Sequence, residues 1–322
     1  MDPEYANSAD QFCDDYEHIR SLAAEAESVV ELFARRDNPK ELIAAKIVRR
    51  KNSISKTTPQ EVLLLSRTGK CDRIVELFGH IPSFPNPRAS AILLEFCQHG
   101  SLYDYANIVH AKRVHIPEEQ IWRLFKQLAE ALTFLHRDST AEDPDWRPIV
   151  HRDIKPANIL LTSIPDAPGR NINVKLADFG LSDFYDPNDC WFEAGTAEYQ
   201  PPEQTLWASY ATPAGDVWAV GSSIHHLLHR KFTIEDPAVF ALEWKQDYPM
   251  EDENMRDHYF FVRAVPRRVF PINQPLPWGD YKGYSDSLNS VFLSALAFDP
   301  AKRPSAAQLL EYIEDCPPCA SF

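Results

Sequence analysis

Two short stretches carry side chains that could do chemistry together. His151-Arg152-Asp153-Ile154-Lys155-Pro156-Ala157-Asn158 sets a carboxylate, an ammonium and an amide in close succession, and Ile159-Leu160-Leu161 follows. Asp178-Phe179-Gly180 comes later, within the run VKLADFG. Carboxylate and amide oxygens are ligands for a hard cation such as magnesium. A carboxylate can also take a proton from a hydroxyl, and an ammonium can lie beside a transferring anion. Apolar, strand-like runs flank both stretches.

Together they resemble the catalytic loop and the metal-binding segment of eukaryotic protein kinases. That loop carries an Asp, a Lys two residues later and an Asn five later; Asp153, Lys155 and Asn158 match it. The resemblance implies phosphoryl transfer, which asks a protein to position groups and neutralise charge. It implies that Asp153 receives the substrate hydroxyl. It implies that Lys155 sits near the transferring phosphoryl group, and that Asn158 and Asp178 hold Mg2+. The implied cofactors are ATP and Mg2+, and the implied partner is a protein substrate.

The elements that must position these groups are also legible. Glu41-Leu42-Ile43-Ala44-Ala45-Lys46-Ile47-Val48 alternates and is β-branched, so it reads as a strand. It resembles the family's VAxK strand, which makes Lys46 the ligand of the α- and β-phosphates and sets Ala44 beside the nucleotide. Thr58-Pro59-Gln60-Glu61 opens an apolar helix. Glu61 stands where the family's αC helix supplies the partner of that lysine. The rival reading is a capping box, with Thr58 and Glu61 capping their own helix. Ser90–Cys97 resembles the strand leading into the hinge between lobes. There Leu94 lies behind adenine, and main-chain groups of Glu95 and Cys97 bond it. Leu160 belongs to the same nucleotide set.

One stretch departs from the family. Leu22–Leu32 falls where kinases carry a glycine-rich phosphate loop, and its closing Val30 is present. The glycine positions hold Ala23, Glu25 and Ser28. Glycine lets a backbone approach phosphate without a Cβ in the way. A carboxylate at Glu25 sets like charge near a polyanion, with a repulsion of at most roughly 3 kcal/mol at about 6 Å and an effective dielectric near 20.

Beyond the catalytic loop, Ile121, Leu124, Phe125, Leu128, Leu132 and Leu135 recur at helical spacing and predict a central buried helix after Pro117. Residues 137–148 read as a polar surface insertion. Gly195–Glu203 resembles the GTxxYxxPE end of a serine/threonine kinase activation segment, with Thr196 bonding Asp153 and Lys155. No serine or threonine lies between Asp183 and Gly195. A carboxylate among Asp183, Asp186, Asp189 and Glu193 is therefore expected to pair with Arg152 in place of a phosphate. The resemblance pairs Glu203 with Arg303 and gives Asp216 the catalytic-loop main chain; the rival for Asp216 is an N-cap. Residues 235–285 show no helical period and read as an insertion. Ser101 and Ala157 stand where arginine-directed kinases place acids, so no strong demand for an upstream arginine is expected.

Composition sets the remaining bounds. The 322 residues carry a net charge of −14, which disfavours nucleic acid and anionic membrane as partners. No apolar run approaches the roughly 20 residues of a membrane span, and the acidic start lacks a signal-peptide core. An intracellular protein, cytoplasmic or nuclear, is expected; oligomeric state is left open. Cys316 and Cys319 read as an inert tail pair, since two thiols cannot complete a four-ligand zinc site.

The expected fold is α+β: a bilobal protein-kinase-like domain with a small β-rich N-lobe, one αC helix and a larger, mainly helical C-lobe. Its expected layout is a disordered acidic tail over 1–16, a kinase domain over 17–315 (N-lobe 17–95, C-lobe 96–315) and a tail over 316–322. The expected function is a protein serine/threonine kinase using ATP. The alternative is a pseudokinase acting as a nucleotide-binding or scaffold module because its phosphate loop lacks glycine.

Overall fold

The β-branched alternation around Lys46 does form a strand, and a sheet is built on it. The computed structural model describes residues 8–24, 28–49, 58–69, 71–141, 143–166, 170–189, 195–204, 210–235, 240, 262–275 and 283–316. The chain divides into two compact units, Met1–Gln98 and His99–Phe322, three residues later than the division expected after 95.

The first unit holds five antiparallel strands: β1 (Tyr16–Ala24), β2 (Ser28–Arg35), β3 (Leu42–Arg49), β4 (Leu77–Pro82) and β5 (Ala89–Glu95). Their order is β1-β2-β3-β5-β4. Successive side chains of a strand face opposite ways, so the register sorts the sheet into two faces. Phe33, Ile43, Ala45, Ile81, Ala91 and Leu93 share one apolar cluster with Phe84. Val30, Leu32, Ala44, Lys46, Ile92 and Leu94 lie at the alternate positions, in register across β2, β3 and β5.

The apolar face is covered by a helix that the sequence reading missed. Residues 8–16 were expected as disordered tail; instead Ala9–Asp15 forms α1, with Ser8 as its N-cap. Phe12 is fully buried; it stacks on Tyr16 at a centroid distance of 4.9 Å and meets Phe33 and Phe84 edge-on at 5.0 and 5.4 Å. One aromatic ring on the sheet outweighs the acidic composition around it, since burying a phenylalanine is worth about 1.5–3 kcal/mol. Residues 1–7 and 25–27, Glu25 among them, lie outside the described part. Helix α2 (Gln60–Thr68) follows, and its N-cap Pro59 has no side-chain cap bond.

The second unit is mainly helical. Helices α3 (Leu102–Lys112), α4 (Glu118–His136), α5 (Pro213–His229), α6 (Asp286–Ala295) and α7 (Ala306–Asp315) form its frame. The whole predicted stripe of α4 is buried. In α5, every residue from Gly215 to His229 is buried, so this helix is the unit's centre. Two short antiparallel pairs sit beside the frame: β6 (Ile149–Val150) with β9 (Asp183–Phe184), and β7 (Ile159–Ser163) with β8 (Asn173–Leu176). The segment 137–148 is not purely surface. Trp146 is buried, and the Arg137 guanidinium lies 3.6 Å from its ring centroid and 3.9 Å from that of Phe134. Much of 235–285 and the tail from 317, including Cys319, lies outside the described residues; Cys316 follows α7 as its C-cap. This α+β arrangement, a five-stranded unit carrying the short helices α1 and α2 and a mainly helical unit, is the expected kinase-like architecture.

Candidate active site

The short pairing of β6 with β9 delivers the chain into the His151–Lys155 loop. Arg152 is left-handed there, at φ 71°. For a residue with a Cβ such a conformation is strained and persists only when its surroundings hold it. Asp216, in the first turn of α5, supplies the hold: its carboxylate accepts from His151 N (2.8 Å) and Arg152 N (3.1 Å). His136, at the end of α4, completes the grip with Nε2 at 2.9 Å from the same carboxylate. The N-cap of α5 is Thr212, so Asp216 is not a cap. His136 carried no signal in the sequence, because nothing about its position in α4 marks it out from the buried stripe.

Asp153 is buried and held through both carboxylate oxygens. One accepts from Thr196 N (2.9 Å) and Thr196 Oγ1 (2.8 Å). The other lies 3.0 Å from Lys155 Nζ and 3.2 Å from Asn158 Nδ2. Lys155 also donates to Thr196 Oγ1 at 3.0 Å. Gly195 makes this approach possible. Its φ is +92°, and a Cβ there would stand 2.8 Å from Arg152 O.

The β7–β8 pairing brings the metal-segment residues alongside. Ile159 pairs with Leu176, and Ala177 N donates to Asn158 O at 2.9 Å. Asp178 therefore follows directly, also left-handed at φ 62°. His151 ties the two stretches. Its Nε2–H donates to Ala177 O (3.0 Å), its Nδ1 accepts from Asp153 N (3.3 Å), and its ring meets the buried Phe179 edge-on at 4.9 Å. Arg152 reaches Asp183, with Nη1 3.5 Å from Oδ2. Glu203 and Arg303 form a two-point ion pair at 2.7 and 3.1 Å; the Arg303 side chain is fully buried and also caps the carbonyls of Ala214 and Ala297. Leu160 is half-buried in β7 and bridges to Ser101, the N-cap of α3.

The first unit holds its own set. Lys46 Nζ lies 2.9 and 2.7 Å from the two oxygens of Glu61, with both side chains almost fully buried. Glu61 thus serves Lys46 and not the end of its own helix. The face that Lys46 shares with Val30, Ala44 and Leu94 is the one opposite the aromatic cluster. At the end of β5, Glu95 N donates to Glu76 O, so any main-chain contact from Glu95 to a base falls to its carbonyl. Cys97 is buried. Among the described residues no cluster of three or more His, Cys, Asp or Glu could bind a metal by itself, and no helix is long and apolar enough to cross a membrane.

Comparison with known proteins agrees with this geometry. The chain is 27 % identical over 263 residues to mitogen-activated protein kinase kinase 2 of Arabidopsis thaliana, covering 81 % of this chain and 61 % of the relative. It is 30 % identical to sucrose non-fermenting protein kinase 1 of Fusarium virguliforme, over 73 % of this chain and 32 % of the relative. It is 36 % identical to the carbon catabolite-derepressing protein kinase of Secale cereale, over 44 % of this chain and 24 % of that protein. The chain spans less than two thirds of the length of each. The protein kinase domain model matches residues 17–313, almost the whole sequence, and the chain therefore belongs to the protein kinase family.

Proposed function

We propose that the protein is a serine/threonine kinase, transferring the γ-phosphate of ATP to hydroxyls of protein substrates. One observation carries the reading: the Asp153 carboxylate is fixed at both oxygens by Thr196, Lys155 and Asn158. A carboxylate held this way can orient an acceptor hydroxyl, and orientation is the larger part of phosphoryl transfer. As the hydroxyl oxygen bonds to the γ-phosphorus, Asp153 takes its proton. The bond from that phosphorus to the β,γ-bridging oxygen breaks, and ADP leaves. Lys155 keeps positive charge beside the transferring group.

Asn158 and Asp178 would hold Mg2+. An amide oxygen and one carboxylate fit an ion that takes few protein ligands and shares substrate phosphates. When bound, it neutralises charge on the β- and γ-phosphates. We assign the Lys46 face of the first unit to the nucleotide. Lys46, oriented by Glu61, takes the α- and β-phosphates. Val30, Ala44 and Leu94 take the adenine ring, and main-chain groups of Glu95 and Cys97 take its edge.

The test is transfer from radiolabelled ATP to protein acceptors, with phosphoamino-acid analysis. The wild type should label serine and threonine. Asp153→Ala should lose transfer by about a thousandfold or more, the range of a positioned base together with its orienting role. A wild type that labels nothing, or an Asp153→Ala variant that labels as fast, refutes the proposal.

A further inference from the structure

Arg267 is buried, and it is used in an unusual way. Its Nε donates to Gln200 O at 2.8 Å, and Nη2 donates to Ala197 O at 3.1 Å. Nη1 donates to Val265 O (2.9 Å) and Val262 O (3.4 Å). No carboxylate among the described residues pairs with it. Buried guanidinium groups ordinarily take a carboxylate; this one is surrounded by main-chain carbonyls.

The other end of Arg267 is anchored. Its main chain bridges to Ile234, and the neighbouring bonds Glu235 N to Pro266 O (2.9 Å) and Arg268 N to Thr233 O (3.0 Å) extend the pairing. Ala197, Ile234, Val262 and Val265 close an apolar cluster around the junction. Burial, then the nearby Arg263, holds the Arg267 pKa down at about 10, so it stays charged at neutral pH. Ala197 and Gln200 bracket the 3-10 turn Ala197–Tyr199. The residue before that turn is Thr196, which donates twice to Asp153.

We infer that Arg267 is a positioning residue: its planar fork fixes both ends of the Ala197–Gln200 turn and so sets the surface on which an acceptor peptide lies beside Asp153. The kinetic part of this inference rests on the kinase reading; the structural part does not. The two carbonyls are served by different nitrogens of one rigid guanidinium, and a lysine, with all its donors on a single nitrogen, does not reproduce that fork.

Arg267→Lys and Arg267→Met are compared with wild type by hydrogen exchange and steady-state kinetics. Exchange should accelerate in the peptide covering 195–204 and stay unchanged over 213–229. The KM for an acceptor peptide should rise by about tenfold, with the KM for ATP unchanged. Should Arg267→Met not fold, Arg267→Lys decides. Wild-type exchange in 195–204 overturns the inference whether or not the chain is active. Equal peptide KM in an active enzyme, or a loss of active fraction alone, overturns it too. A wild type without transfer would count against the kinase reading, and the exchange result would still judge the turn.

Discussion

The two units solve different problems with different interiors. The first is built on an apolar cluster of Phe12, Tyr16, Phe33, Ile43, Ile81, Phe84 and Leu93, and it buries the ion pair Lys46–Glu61 on the other side of the sheet. The second buries many polar groups, among them Asp153, Asn158, Asp216, Arg263, Arg267, Arg303 and the histidines 110, 151, 225, 226 and 229. Almost all of these bond the main chain of loops and turns. The contrast follows from what each must hold. A sheet satisfies its own backbone groups, so its core can be apolar. The catalytic loop and the turn after Thr196 have no such ladder, and buried backbone groups need partners. Side chains supply them.

This difference predicts unequal sensitivity to acid. Burial pushes His225 down to about 3, and His226 and His229 to about 4. His225 is neutral by its bonds as well: Nδ1 donates to Lys231 O and Nε2 accepts from Phe270 N. With folded pKa values below the unfolded 6.5, the unfolded chain binds more protons beneath pH 6.5. Stability is then full above that pH and falls as pH drops toward 4, by up to about 1.4 kcal/mol per pH unit for each histidine. Hydrogen exchange between pH 7 and pH 5 should show residues 213–229 losing protection before β3 and β5. Simultaneous loss in both would break the contrast.

The apolar interior has a matching weak point. Phe12→Ala should destabilise the first unit by about 3–5 kcal/mol, as for other buried phenylalanines, with little change in exchange over 213–229. A denaturation midpoint equal to wild type would mean that α1 is not part of the core.

Much of the site was legible before the fold. Asp153, Lys155 and Asn158 lie within one loop, and short-range spacing carries their geometry. Lys46 and Glu61 are brought together by two regular elements, a strand and a helix, that periodicity could identify. Glu203 and Arg303 were found only through family resemblance, since they lie a hundred residues apart. What stayed hidden was held by tertiary burial against local composition. Helix α1 sits in an acidic stretch, where Ser8 and the four-residue step from Phe12 to Tyr16 were the available signals. Trp146 sits in a loop of polar residues, and Arg267 reaches main-chain carbonyls, which leave no trace in side-chain patterns.

Two smaller effects would sharpen the comparison at the phosphate end. Glu25 stands at a position where the family carries glycine, and Glu25→Gly should lower the KM for ATP by at most about a hundredfold, the limit of the roughly 3 kcal/mol repulsion. An unchanged KM would mean that the carboxylate turns into solvent. In the second unit, Asp183 is half-exposed beside the nearly buried Arg152. Asp183→Asn should lower kcat only a few-fold, since exposed ion pairs contribute about 0–1 kcal/mol. Mass spectrometry should find no activating phosphate within 183–195, Tyr185 included; finding one would count against a carboxylate serving in its place.

We propose a division of labour in which Asp178 serves the metal-bound nucleotide and Asp153 the acceptor hydroxyl. Calorimetric titration of ATP, with Mg2+ and with EDTA, separates the two. The wild type should bind ATP more tightly with Mg2+; Asp178→Asn should abolish that difference, and Asp153→Ala should keep it. A wild type that retains no nucleotide, or the same Mg2+ dependence in Asp178→Asn as in wild type, would contradict the account.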